Sequence, residues 1–256
     1  MFRTIRDAPL RVRRRPAATG APEIAFVPAL GTGLWAWEGV ADRLPPDWGL
    51  TLYDLRGQGL SGGTGPRMAD HAADLLALAP EGSVVCGLSI GGQIAMSAAL
   101  NAPGRLRALV LADTAPRIGT AFYYAERAAR IRAEGMVPFA GDQVRRWFAP
   151  GLDPDLVQGA EAALAAQPVE GYLAACEAIA ACDLTAETSR LAVPVLCLGG
   201  SEDISTPPET IRALAAAIPG ASCEIVGGAG HLPPVEAPAV LADTIARFVR
   251  SVHSTP

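Results

Sequence analysis

Short apolar runs recur along this chain, and each gives way to a loop bearing glycine or proline. Glu23–Val27, Gly49–Tyr53, 83–86, Leu106–Ala112, 193–198 and 223–226 have the length of strands and are almost wholly apolar. A continuous apolar run, unlike an alternating one, suits a strand covered on both faces. Helical patterns such as Met68–Leu78 and the Gly/Ala-rich stretch opening near Gly91 fall between these runs. Strands alternating with helices predict a mostly parallel sheet with helices on both faces, an α/β fold. Leu10-Arg11-Val12-Arg13 alternates instead, as a half-exposed edge strand would. From 118 to 190 the rhythm changes, with helical periodicity and no strand candidate. The chain therefore divides into a first core segment at 1–117, a helical cap at 118–190 and a second core segment at 191–256. The cap holds Phe122, Tyr123, Tyr124, Trp147, Phe148 and Tyr172, aromatic groups able to line a pocket over the active edge of the sheet or to pack the cap itself.

Composition narrows the picture. A chain of 256 residues, half of them hydrophobic, can bury one sizeable core with an appendage. The formal charge of -5 leaves no basic footprint for nucleic acid, and every cation is arginine, with no lysine. Arg3, Arg6, Arg11, Arg13, Arg14 and Arg15 cluster near the start without an apolar segment after them, which reads as a solvated strand face. No window approaches the roughly 18 uninterrupted apolar residues that a membrane span needs, so a soluble protein without membrane attachment is expected. The five cysteines are odd in number, lack metal-ligand spacing and mostly sit in apolar contexts, as reduced core residues of a cytoplasmic protein would.

The chemistry centres on Gly87-Leu88-Ser89-Ile90-Gly91, where an apolar strand runs straight into a helix. A reversal that sharp leaves no room for side chains two residues either side of Ser89 and lifts its hydroxyl above the sheet as a nucleophile. Such a serine needs a base and an acid from later strand ends. The run at 223–226 leads into Gly227-Gly228-Ala229-Gly230-His231, which makes His231 the base. Of the two other histidines, His71 reads as a solvated helix residue and His253 as part of a disordered tail. The run at 193–198 leads into Gly199-Gly200-Ser201-Glu202-Asp203 and offers Asp203 as the acid, with Glu202 and Asp113 as competitors. Asp203 is favoured because Thr206-Pro207-Pro208-Glu209 supplies a capping box for the next helix and leaves Asp203 free. Asp113 comes next, one strand earlier. Backbone N–H groups of Ile90, after the nucleophile, and of Leu30, in the loop after an early strand, are the expected oxyanion donors.

With these residues in place, the chain resembles the α/β-hydrolase family over essentially its whole length. The resemblance rests on the Ser89 turn, the Asp-x-Arg-Gly-x-Gly-x-Ser run at 54–61, and the acid and base positions. Within that family the insertion is similar to the 3-oxoadipate enol-lactonases of bacterial aromatic catabolism. It shares Asp113-Thr114-Ala115-Pro116-Arg117-Ile118-Gly119-Thr120, Arg146-Trp147-Phe148, and Gly171-Tyr172-Leu173-Ala174-Ala175-Cys176-Glu177-Ala178-Ile179 closed by Cys182-Asp183-Leu184. It departs at Gln58, where the family commonly has His, at Gly33, where it often has Asp, and at Tyr124, where it often has Trp. Gly230-His231-Leu232-Pro233-Pro234 is the general hydrolase form.

The resemblance implies hydrolysis of a small anionic lactone or ester through an acyl-enzyme, with no metal or organic cofactor. The lactone's free carboxylate needs a partner, because burying it alone is costly. Arg117 and Arg146 are the candidates, with Trp147, Trp35 and Tyr124 against the ring, whereas Arg127, Arg130 and Arg132 are expected to be solvated or salt-bridged on a helix. Another ester or carbon–carbon bond hydrolase with the same triad, or a ligand-binding member without turnover, are the competing readings. The sequence carries no signal for oligomeric state.

Overall fold

The computed structural model describes residues 1–253. Eight strands form one sheet: β1 (Phe2–Ile5), β2 (Ala8–Arg15), β3 (Glu23–Val27), β4 (Gly49–Tyr53), β5 (Ser83–Leu88), β6 (Leu106–Ala112), β7 (Val195–Gly200) and β8 (Ser222–Val226). They lie in the order β1-β2-β4-β3-β5-β6-β7-β8. The β1–β2 hairpin is antiparallel within itself and against β4, and every pairing from β4 to β8 is parallel. The α/β reading and the six apolar strands therefore hold, with two shifts. The strand sought at 193–198 begins at Val195, since Pro194 has no N–H to give the ladder, and runs on through Gly199 and Gly200. Arg11 and its neighbours belong to the second strand in, because β1 forms the edge.

Helices α1 (Trp35–Ala41), α2 (Met68–Leu78), α3 (Ile90–Asn101), α8 (Pro208–Ala217), α9 (Pro233–Glu236) and α10 (Pro238–His253) cover the sheet. α1 packs on α9 and α10, and α2 packs on α3. Phe26, Leu52, Val85, Val110 and Leu198 are almost wholly buried beneath them with Trp37, whose indole N–H donates to the Val27 carbonyl at 3.1 Å. Between β6 and β7 run α4 (Ala121–Glu134), α5 (Met136–Val144), α6 (Pro154–Ala165) and α7 (Val169–Ala180). Because β3, β5, β6, β7 and β8 are parallel, the loops after them all open at one edge of the sheet, where open α/β sheets bind ligands.

Three expectations change. His71 is buried on α2, with Nε2 2.8 Å from the Gly65 carbonyl, and burial pushes its pKa down. A loop carbonyl that needs a donor took this residue out of solvent. His253 ends α10, with Nε2 2.9 Å from the Gly20 carbonyl. Cys223 is exposed on the last strand, where β8 has no further neighbour to cover it, while Cys86, Cys176, Cys182 and Cys197 are buried. The N-terminal arginines stay largely solvated, but four of the six also pair with acids: Arg6 with Asp70, Arg11 with Asp54, Arg13 with Glu38 and Asp42, and Arg14 with Glu23. No helix among the described residues is long and apolar enough to cross a membrane.

Among the described residues Arg56 is a buried cation, gripping Asp74 through Nε at 2.8 Å and Nη2 at 2.7 Å while Nη1 reaches Asp7, at the surface, at 2.6 Å. Removing one partner of a buried pair strands the other charge, whereas replacing both with apolar groups need not. Arg56→Ala should lower unfolding free energy by about 3–5 kcal/mol. Arg56→Met with Asp74→Leu should recover most of that loss, as read from urea denaturation midpoints.

Candidate active site

Ser89 sits between β5 and α3 with φ 56° and ψ -117°, a region L-residues rarely occupy. The strain persists because its surroundings determine it. The Ser89 N–H donates to the Ala112 carbonyl at 2.9 Å, and the Ser89 carbonyl accepts from Thr114 Oγ1 at 2.7 Å and the Gly92 N–H at 2.8 Å. A Cβ at Gly87 would lie 2.2 Å from the Gly91 carbonyl oxygen, and one at Gly91 would lie 2.4 Å from that of Val27. Both glycines are thus required by close packing of backbone on backbone. Ser89 Oγ makes no hydrogen bond to His231; the two side chains line the same cavity.

His231 and Asp203 are brought together from the loops after β8 and β7. Nδ1 of His231 is 2.8 Å from Asp203 Oδ2, and both residues are buried. Asp203 Oδ1 accepts from the Ser205 N–H at 2.7 Å and the Thr206 N–H at 3.2 Å, and Thr206 Oγ1 donates to Oδ2 at 2.7 Å. Burial alone would raise the Asp203 pKa. The His231 hydrogen bond and charge, with Thr206 and the Ser205 N–H, overcome it and hold the carboxyl well below the usual range. The capping box expected of Thr206 does not form: α8 starts at Pro208 behind Pro207 with no side-chain cap, and the threonine turns inward to the acid.

Asp113, at the end of β6, is fully buried with φ 43°. Its Oδ1 accepts the Gly200 N–H at 2.8 Å, and its Oδ2 has no hydrogen-bond partner. Burial first, and then the adjacent Asp203 charge, push its pKa well above the ordinary carboxylate value. Ligand atoms of Asp113, Asp203 and His231 all lie within 4.8 Å of one another, the one such grouping found among the described residues. Asp203 already accepts four donors on its two oxygens, a bonding pattern that suits an imidazole partner better than a cation.

In the loop after β3, the Gly31 N–H donates to Gln58 Oε1 at 2.7 Å and the Thr32 N–H to the Ala29 carbonyl at 3.2 Å. The Leu30 N–H between them has no such bond. Ile90 opens α3, so its N–H has no partner within the helix. Those are the two donors anticipated from the sequence.

Ser89, His231 and Leu30 line a cavity of about 180 Å³ roofed by the helices between β6 and β7. Tyr124, Arg146 and Trp147 line it as well, and Trp147 contributes its carbonyl, which accepts the His231 N–H at 2.6 Å. Two expected residues lie elsewhere. Trp35 lines a separate groove with Leu156 and Val235, because it stands at the outer end of α1. Arg117 is well exposed and 3.5 Å from Asp183, a neighbour that already satisfies it. Arg127, expected to be solvated or salt-bridged, instead lines the cavity.

Sequence reasoning missed Glu236. Its carboxylate accepts the N–H groups of Gly230 at 2.9 Å, Leu232 at 3.2 Å and Ala149 at 2.9 Å, tying the His231 loop to the exit from α5. The available signal was an acid inside the run Pro233-Pro234-Val235-Glu236-Ala237, where solvation alone gives it no reason to be. Gln58 was noticed only as a departure, and its hold on Gly31 has no sequence signal.

The pattern that defines the alpha/beta hydrolase fold matches residues 22–238, and the chain belongs to that family. It is 31% identical over 226 residues to 3-oxoadipate enol-lactonase 2 of Acinetobacter baylyi, covering 85% of this chain and 84% of the relative. Among solved structures, the enol-lactonase from Burkholderia xenovorans LB400 superposes with a TM-score of 0.91 at 29% identity, covering 98% of this chain and all of that one. A thermophilic esterase from Thermogutta terrifontis, solved with malate bound, gives 0.89 at 28% identity over 96% of this chain and 95% of its own. These relatives are carboxylic ester hydrolases.

Asp113 supplies a test of the electrostatics. A carboxyl whose folded pKa exceeds its unfolded value contributes stability below the unfolded pKa, near 3.8, and loses it as pH rises toward the folded one. Asp113→Asn keeps the acceptor for Gly200 and cannot ionise. The variant should therefore gain stability relative to the parent as pH rises above 3.8, read as the difference in urea midpoint at each pH. Asp113→Ala, which orphans the Gly200 N–H, should lose about 1–3 kcal/mol.

Proposed function

We propose that the chain is a serine hydrolase that opens a carboxylic ester or lactone, with 3-oxoadipate enol-lactone as substrate and 3-oxoadipate as product. The observation that carries the reading is the imidazole of His231, anchored through Nδ1 on Asp203 in the wall of the cavity that Ser89 also lines. With Nδ1 engaged, Nε2 is the nitrogen left to take the serine proton.

In this reading Ser89 Oγ attacks the lactone carbonyl as its proton passes to His231 Nε2. The carbonyl oxygen becomes an oxyanion and is received by the N–H groups of Leu30 and Ile90. Collapse breaks the ring C–O bond, and the departing enolate oxygen takes the proton from His231. Water, deprotonated by the same nitrogen, then attacks the acyl-enzyme. The Ser89–acyl bond breaks, the proton returns to Ser89, and the enol product becomes the ketone. Asp203 fixes the tautomer and stabilises the imidazolium, and the low folded pKa of its carboxyl suits that task. Asp113, whose pKa is pushed up beside it, makes no hydrogen bond to the imidazole. Tyr124 and Trp147 contact the ring, with Arg146 near the opening. No metal or organic cofactor enters any step.

The lactone assignment draws on the enol-lactonase relatives. The same kinship supports a place in cytoplasmic aromatic catabolism, and a cap formed by residues 118–190.

Spectrophotometric turnover of enzymatically generated 3-oxoadipate enol-lactone by the purified protein tests the substrate. Hydrolysis of simple esters without the lactone would make it an esterase instead. Ser89→Ala and His231→Ala should each lower kcat by about 10⁴- to 10⁶-fold with an unchanged circular dichroism spectrum, because the triad acts as a unit. Asp203→Asn should cost somewhat less. Near-parental kcat in Asp203→Asn, with loss in Asp113→Asn, would move the acid one strand earlier.

A further inference from the structure

The cavity holding Ser89 has two arginines in its wall, Arg127 and Arg146, and no aspartate or glutamate among its described lining residues. That balance runs against a chain whose formal charge is -5. Two neighbouring arginines, Arg130 on α4 and Arg145 just after α5, behave differently. Arg130 pairs with Glu134 and Asp142, and Arg145 with Asp142. In the cleft outside the cavity, where Glu126 and Asp142 also lie, Asp142 is thus taken twice over.

Arg127 has only neutral partners. Its Nη1 donates to the Tyr172 hydroxyl at 3.1 Å, and Nη2 donates to Gln143 Oε1 at 2.9 Å and to the Tyr123 hydroxyl. Its guanidinium carbon stands 4.8 Å from the ring centre of Tyr123 and 5.4 Å from those of Tyr124 and Phe139. Of its five N–H donors, three are used, leaving Nε–H and one Nη1–H. Tyr123, which accepts from Arg127, keeps its own hydroxyl hydrogen to give.

Arg127 is half-buried, and the ring faces hold its cation without neutralising it, so two N–H donors and a full charge remain for an anion. The three neutral acceptors fix the orientation of the guanidinium and cancel none of its charge. We propose that Arg127 is the residue that recognises a free carboxylate on the substrate and so sets a preference for carboxylate-bearing over uncharged esters and lactones. This rests on the hydrolase reading above and adds the residue that makes the distinction. Arg127 positions the acyl chain against Ser89. Arg146, exposed on the same wall and without an ion pair, draws the anion in.

Two substrates of equal reactivity separate the possibilities: the 4-nitrophenyl monoester of glutarate, which carries a carboxylate, and 4-nitrophenyl pentanoate, which does not. The parent should prefer the charged ester. Arg127→Gln should cut kcat/KM for it by about 10- to 100-fold, mostly through KM, while changing the uncharged ester less than about threefold. Arg127→Lys, which keeps charge without the fork, should fall between. Equal losses on both esters would overturn the proposal and leave Arg127 as packing alone.

Binding provides a readout independent of turnover. By calorimetry on the parent and on Ser89→Ala, glutarate should bind at least tenfold more tightly than glutaramide. A parent that makes no such distinction overturns the proposal even if Arg127→Gln does not fold. Failure to hydrolyse either ester while glutarate is still selected would overturn the hydrolase reading and leave the carboxylate site standing.

Discussion

Two loops from separate strands must meet without side chains between them before this site can exist. Gly200 ends β7, and a Cβ there would lie 2.1 Å from the Gly230 carbonyl oxygen. A Cβ on Gly230 would in turn lie 2.7 Å from the Trp147 carbonyl oxygen. That contact allows the chain after Gly200 to carry Asp203 within 2.8 Å of His231, one residue past Gly230. The same requirement governs the serine: β5 can turn into α3 only because Gly87 and Gly91 let backbone pass backbone. Even one methyl group at these positions would force apart the elements that carry the polar groups, so the chemistry depends on packing before it depends on charge.

Charge is then sorted within that packing. Asp113 and Asp203 are both buried and close together, and two carboxylates in that relation cannot both ionise cheaply. Their surroundings divide the roles. Asp203 has a partner imidazole, a threonine hydroxyl and two backbone N–H groups, which favour its charged form; Asp113 has one backbone N–H and an unpaired oxygen, and its pKa is pushed up. A sequence shows two aspartates at strand ends. The difference between them lies in how many donors the fold aims at each.

The sheet, the order of its elements and the Ser89 turn were legible because they depend on short-range rules: apolar run length, glycine spacing and loops at parallel strand ends. The pair His231 and Asp203 was reachable by order along the chain. Yet the reasoning that chose Asp203 used Thr206 as a helix cap, when the threonine in fact donates to the acid itself. The roof of the cavity was less legible. Arg117 and Arg127 stand ten residues apart by sequence and look alike there, but one faces Asp183 in solvent and the other points among tyrosines. Which face of α4 turns inward is set by contacts with α5 and α7, and no local pattern encodes those. Glu236 was hidden for a related reason, since it joins two nearby N–H groups, those of Gly230 and Leu232, to that of Ala149, 87 residues away.

The roofing helices are joined to the core on both sides of the cavity. On one side the Trp147 carbonyl takes the His231 N–H and Glu236 takes that of Ala149. On the other, Gln167 Oε1 accepts the Gly59 N–H at 2.8 Å, and Gly171 sits where a Cβ would be 1.7 Å from the Gly57 carbonyl oxygen. The loop that holds Gly57 and Gly59 also holds Gln58, which fixes Gly31 beside Leu30. One anchor therefore ends at the backbone of His231 and the other beside the Leu30 N–H, so a displacement of the roof pulls on both loops. Selection of a substrate by residues of the roof and placement of the base and oxyanion donors are thus coupled through hydrogen bonds two or three residues long. That is why the roof, though it supplies neither the serine nor the histidine, belongs to the same mechanical unit as both.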